Sequence, residues 1–142
     1  MSTISAMEAS PLAWALERIG DRWTLLVVDA LLDGPRRFNE LQQMLPGIAP
    51  NTLSQRLRHL EREALVVARP YSQRPPRFEY ELTSFGRELG GALRLLADWG
   101  GRGAPDAEPL THARCGTPVE ARWWCPTCAE TVDKPEAADI EV

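Results

Sequence analysis

A chain of 142 residues, 44% hydrophobic and 25% charged, has the composition of one compact domain with an appendage rather than of a disordered segment. Asp29, Asp33 and Asp98 interrupt its most apolar windows, so the roughly 18 consecutive apolar residues of a membrane helix are absent. The net charge of -4 argues against a nucleic-acid partner until its distribution is considered: residues 10–100 carry 12 Arg against 11 acidic residues, and residues 101–142 carry 4 basic against 8 acidic.

Residues 1–9 show neither the basic start nor the apolar run of a secretory signal. They are expected to be a flexible N-terminus of a cytoplasmic protein. Ser10 as cap and Pro11 at the first helical position open a first helix with Leu12, Leu16 and Ile19 at helical spacing, ended by Gly20. Asp21 caps a second, whose face of Trp23, Leu26, Val27, Ala30 and Leu31 runs to the Asp33-Gly34-Pro35 breaker. Both helices are expected to be core elements.

A short third helix carries Phe38, Leu41, Met44 and Leu45 on one stripe and stops at Pro46-Gly47. The fourth opens at Pro50 and places Leu53, Leu57, Leu60 and Ala64 on a narrow apolar face. Helix, tight turn, helix is the supersecondary unit that reads DNA. With the leucines inward, Asn51, Thr52, Ser54, Gln55, Arg56 and Arg58 point elsewhere. Asn and Gln amides can bond two atoms of an adenine edge, Arg forks onto guanine, and Ser or Thr reaches base or phosphate. Arg36 and Arg37, just ahead of the third helix, are candidate phosphate contacts. An ordinary solvated helix face has the same residues, so this helix alone does not decide.

Residues 65–69 and 78–82 read as strands, the second alternating apolar and charged residues. The Pro-rich segment 70–77 between them makes a hairpin whose tip carries Arg74 and Arg77, suited to a minor groove or to phosphate. A polar-faced helix after a turn, followed by an Arg-tipped hairpin, is the order of a winged helix-turn-helix. Thr83 then caps a long helix with Phe85, Leu89, Ala92, Leu93, Leu96 and Trp99 at three- and four-residue steps to Gly100, a face too wide for so small a monomer to cover. The expected organisation is a DNA-binding and dimerisation domain over 10–100, a linker over 101–110, a tail over 111–133 and an acidic disordered C-terminus over 134–142. The fold class is mainly α with a small β-hairpin wing.

All three cysteines lie in the tail. His112 and Cys115, then Cys125 and Cys128, form two pairs at two-residue gaps, the ligand set of a closed tetrahedral zinc site of one imidazole and three thiolates, one structural Zn2+ per chain, on a zinc-ribbon-like knuckle. A reduced tail without metal is the plainer alternative. Trp124-Cys125-Pro126-Thr127-Cys128 resembles a dithiol redox motif, but only 14 residues follow Cys128, too few for a thioredoxin-like fold. No catalytic arrangement and no organic-cofactor site is found: His59 lies on the flank of the fourth helix, and Glu61 and Glu63 are two apart and do not face each other. An enzyme is not expected.

Ile19 to Leu26, Gly34 to Leu41, Pro50 to Leu57 and Glu79 to Thr83 together resemble the HxlR family of bacterial regulators, within the MarR-like superfamily, over about residues 10–100. The resemblance implies a homodimer held by the first and last helices, reading duplex DNA at a pseudo-palindromic operator. Oxidant-sensing members carry a Cys just before the first-helix proline. Here that position is Ser10, which cannot form a thiolate, so any signal acts elsewhere. A small-molecule effector near Trp14, Trp23 or Trp99 is one option, and plain core packing of those rings is the favoured reading. A zinc-containing protein-interaction module that no longer reads DNA is the alternative function.

Overall fold

The structure, a computed structural model, describes residues 10–132; the segments expected to be flexible, 1–9 and 134–142, lie outside the described residues. The chain forms two compact units divided between Leu93 and Arg94.

The first unit begins with α1 (Pro11–Ile19), whose Ser10 Oγ accepts from the Ala13 N–H at 3.0 Å. Asp21 starts α2 (Arg22–Leu31) by accepting from the backbone N–H groups of Trp23 and Thr24 at 3.0 and 3.1 Å. Such a cap satisfies two of the four N–H groups that a helix leaves unpaired. Arg36–Arg37 form a short strand, β1, before α3 (Phe38–Met44). The chain turns through Gly47, whose φ of 89° disfavours any residue with a Cβ, into α4 (Pro50–Arg62). β2 (Val66–Gln73) and β3 (Pro76–Leu82) form an antiparallel hairpin, and β1 adds to the far side of β3, giving the order β1-β3-β2.

The core is built where the apolar stripes of α2, α3 and α4 meet the base of the hairpin: Val27, Val28, Leu31, Leu41, Leu53, Leu57, Leu60, Val66 and Leu82 are all buried. Each buried leucine is worth roughly 1.5–3 kcal/mol of transfer free energy, which fixes which face of α4 is turned away from the core.

Several expectations needed correction. α1 buries no residue, and only its Ile19 packs on the core. Leu12 and Trp14 on α1 are 67% and 54% exposed and Trp99 is 68% exposed, so core packing holds only for the half-buried Trp23. The reason is that no element among the described residues covers those side chains. Met44 is exposed as well. Ala64 is not on the apolar face of α4: it takes a left-handed conformation with φ of 58°, letting the Leu65 N–H reach the Leu60 carbonyl at 2.9 Å and end the helix. The hairpin is longer than expected, since the Pro-rich segment is largely strand; Pro70 is tolerated on β2, an edge strand, at an irregularity in the ladder. The single long last helix is two, α5 (Ser84–Arg87) and α6 (Leu89–Gly101). No helix among the described residues is long and apolar enough to cross a membrane.

In the second unit, a bridge between Thr111 and Pro118 closes one turn, and β4 (Trp123–Cys125) pairs with β5 (Glu130–Val132) around another.

Candidate nucleic-acid interface

Burial of Leu53, Leu57 and Leu60 turns the opposite face of α4 outward. Asn51, Gln55 and Arg58 are exposed there, four and three residues apart and hence on one side of the helix, with Thr52 and Ser54 half-buried beside them. Arg56 is different. Its Nε lies 2.9 Å from Oδ1 of Asp21, an ion pair by distance that ties α4 to the start of α2. His59 Nε2 is within hydrogen-bond reach of the Arg18 carbonyl, and Arg18 pairs with Glu63, so the far end of α4 is tied to α1. These contacts hold the helix while its middle stays free to touch a ligand.

The wing stands alongside. Arg74 and Arg77 are exposed at and next to its tip. Arg37 stacks over the Tyr71 ring, its guanidinium carbon 4.2 Å from the centroid, on a groove also lined by Asn39 and Arg77. The Glu40 carboxylate accepts from the Arg37 N–H at 2.9 Å, fixing the start of α3. Arg36, opposite Tyr80 in the sheet, is half-buried. A second groove between α4 and the wing is lined by Ser54, Arg58, Ala68, Phe78 and Tyr80. Burial pushes the Tyr80 phenol above its ordinary pKa, Glu61 adds to that rise and Arg58 opposes it. Two basic groups of this region are engaged within the protein: Arg69 and Arg87 both pair with Glu81, at 2.8 and 3.0 Å.

Tyr71 and Asn39 were not anticipated from the sequence. Tyr71 lies in a Pro-rich stretch that reads as loop. Its only signal was that strand alternation can continue past Pro70 when the strand is an edge.

The two ligand pairs of the tail each close locally. His112 Nδ1 is 3.3 Å from Cys115 Sγ, and the Cys128 N–H points at Cys125 Sγ at 3.5 Å. Gly116 with φ of 71° and Ala129 with φ of 56° make the two tight turns. The Thr117 hydroxyl and backbone lower the Cys115 pKa; the backbone N–H of Cys128 leads the lowering at Cys125, and the neighbouring Cys125 sulfur raises Cys128. Among the described residues, no three His, Cys, Asp or Glu side chains gather closely enough to hold a metal; each pair by itself offers two ligands of the kind zinc takes.

Comparison with known proteins agrees with this architecture. Residues 18–108 match the model of the HxlR-like helix-turn-helix family. An uncharacterised HTH-type transcriptional regulator of Mycobacterium tuberculosis is 40% identical over 129 residues, covering 88% of this chain and 81% of that relative. The reduced form of the redox regulator HypR superposes with a TM-score of 0.63 at 35% identity, over 68% of this chain and 95% of that one. The reduced transcriptional regulator YodB from Bacillus subtilis gives 0.58 at 28% identity, over 70% of this chain and 99% of that one. The chain belongs to the HxlR-like helix-turn-helix family of transcription regulators.

Proposed function

We propose that the protein acts as a homodimer in the cytoplasm, occupying a pseudo-palindromic operator with one α4 per half-site in the major groove. The observation that carries this reading is the face of Asn51, Gln55 and Arg58, forced outward by the buried leucines behind it and flanked by an Arg-tipped wing. In this reading Gln55 and Arg58 contact base edges, with Asn51, Thr52 and Ser54 reaching base or phosphate. Arg37, Arg74 and Arg77 contact phosphate and set register, with Arg36 behind them in the sheet. Arg56 acts through Asp21, by fixing how α4 sits on α2. The tail would bind one structural zinc through His112, Cys115, Cys125 and Cys128; what supports this is the local closure of both pairs at tight turns.

Gln55→Ala and Arg58→Ala should each weaken binding to the specific site by about 1–3 kcal/mol, and Arg74→Ala should weaken all sequences alike while reducing the salt dependence. Fluorescence titration of the operator and of a scrambled duplex, at two salt concentrations, separates the two classes. Unchanged discrimination in both α4 variants would remove that helix as the reader.

A further inference from the structure

Between α1 and the α5/α6 corner lies an apolar hollow of about 220 Å³, walled by Ala15, Ile19, Leu65, Phe85 and Leu89, with Arg18 and Glu88 as its charged members. Its floor is rigid. The Thr83 hydroxyl donates to the Ala64 carbonyl at 2.7 Å, the Thr83 N–H donates to the Leu65 carbonyl at 3.0 Å, and a Cβ at Gly86 would lie 2.2 Å from that same Leu65 oxygen. The hollow therefore cannot collapse by moving α5 closer.

The two charges differ in their engagement. Arg18 is neutralised by Glu63 and its guanidinium carbon sits 5.4 Å from the Phe85 ring centroid. Glu88 is exposed and makes no ion pair among the described residues, which leaves one negative charge beside an apolar wall and an aromatic ring. That combination selects a cation with an apolar body: the ammonium pairs with Glu88 and faces the ring, and the body fills the hollow. A volume below the about 300–1,000 Å³ of drug-sized sites limits the body to one ring and a short alkyl chain.

The geometry points to a binding site for a small apolar monoamine between α1 and the α5/α6 corner, with Arg18 as the residue through which its occupancy reaches the recognition helix. Arg18 holds the end of α4 twice, through Glu63 and through the carbonyl that meets His59. A ligand ammonium at the Phe85 ring competes with the Arg18 guanidinium for that ring and repels it. The clasp between α1 and α4 loosens, and operator affinity falls. By linkage, operator lowers affinity for the amine by the same factor. This coupling rests on the proposed operator reading; the binding site does not.

The test uses the full chain, labelled with 15N, titrated with 3-phenylpropylamine, the isosteric 3-phenylpropan-1-ol and 3-phenylpropanoate. The amine should shift the backbone amides of Ala15, Phe85 and Leu89 and bind more tightly than the alcohol, with the acid weakest. Glu88→Gln, a change at an exposed and unpaired side chain, should weaken amine binding roughly fivefold and leave the alcohol unchanged. Absence of shifts with all three compounds, including the case in which a second copy of the chain fills the hollow, overturns the site, as does acid binding equal to amine binding or an unchanged Glu88→Gln variant. Operator titrations with and without the amine then test the coupling. Operator binding weakened in both proteins, with Glu88→Gln needing about fivefold more amine for the same loss, supports it, and unaltered operator binding beside clear amide shifts overturns it. A protein that binds amine but no operator refutes the operator reading and leaves the site standing.

Discussion

Replacing Leu12 and Leu16 together by aspartate should convert the proposed dimer to a monomer and reduce operator affinity by about 10²- to 10⁴-fold, the gain normally supplied by engaging two half-sites at once. Both side chains are more than half exposed on α1, and none of the buried core of α2, α3, α4 and the hairpin depends on them. α1 also exposes Trp14, and α6 exposes Leu95, Leu96 and Trp99. Large apolar side chains exposed along an amphipathic helix have the pattern of a surface that a partner would cover. Sedimentation velocity reads the oligomeric state, and circular dichroism checks that the monomer remains folded. A variant that stays dimeric with full operator affinity would place the dimer contact elsewhere.

Removing the proposed tail zinc should be the second large effect. Structural zinc contributes apparent binding free energies of about 10–16 kcal/mol to small metal-folded modules, because the ligands are not held together without it. The described tail has little else to hold it: two short hairpins, with Trp123, Trp124 and Val119 all exposed. Purified protein should therefore contain one zinc per chain, and Cys125→Ser or a strong chelator should remove it. The amides of residues 111–132 should then collapse to random-coil shifts, while the core around Leu57 keeps its dispersion. Metal-free protein whose tail amides stay dispersed would mean that the hairpins fold unaided and that the four side chains are not a zinc site.

The helical framework was legible because its signals are local. Ser10, Asp21 and Thr83 are caps that require no knowledge of tertiary structure, and the spacing of Leu53, Leu57 and Leu60 fixes the inward face of α4 from within one helix. The outward orientation of Asn51, Gln55 and Arg58 follows from the same spacing. Local signals fail where neighbours decide. Leu12, Trp14 and Trp99 have core-like spacing, but sequence periodicity reports an apolar face without reporting whether this chain or another covers it. Arg56 reads like any polar residue of α4, and only the position of Asp21 at the start of α2 draws it inward. The engagement of Arg18 by Glu63 and His59 spans more than 40 positions along the chain and has no local signal at all.

The most direct measurement is selection of bound duplexes from a random pool by the purified protein at near-physiological salt. Operator recognition through paired α4 helices predicts enrichment of a two-fold symmetric site with half-sites one helical turn apart, about 10–10.5 base pairs, or a multiple of it, and loss of that enrichment with Arg58→Ala. Folded, dimeric protein that enriches no sequence, or an asymmetric one indifferent to Arg58, would contradict it.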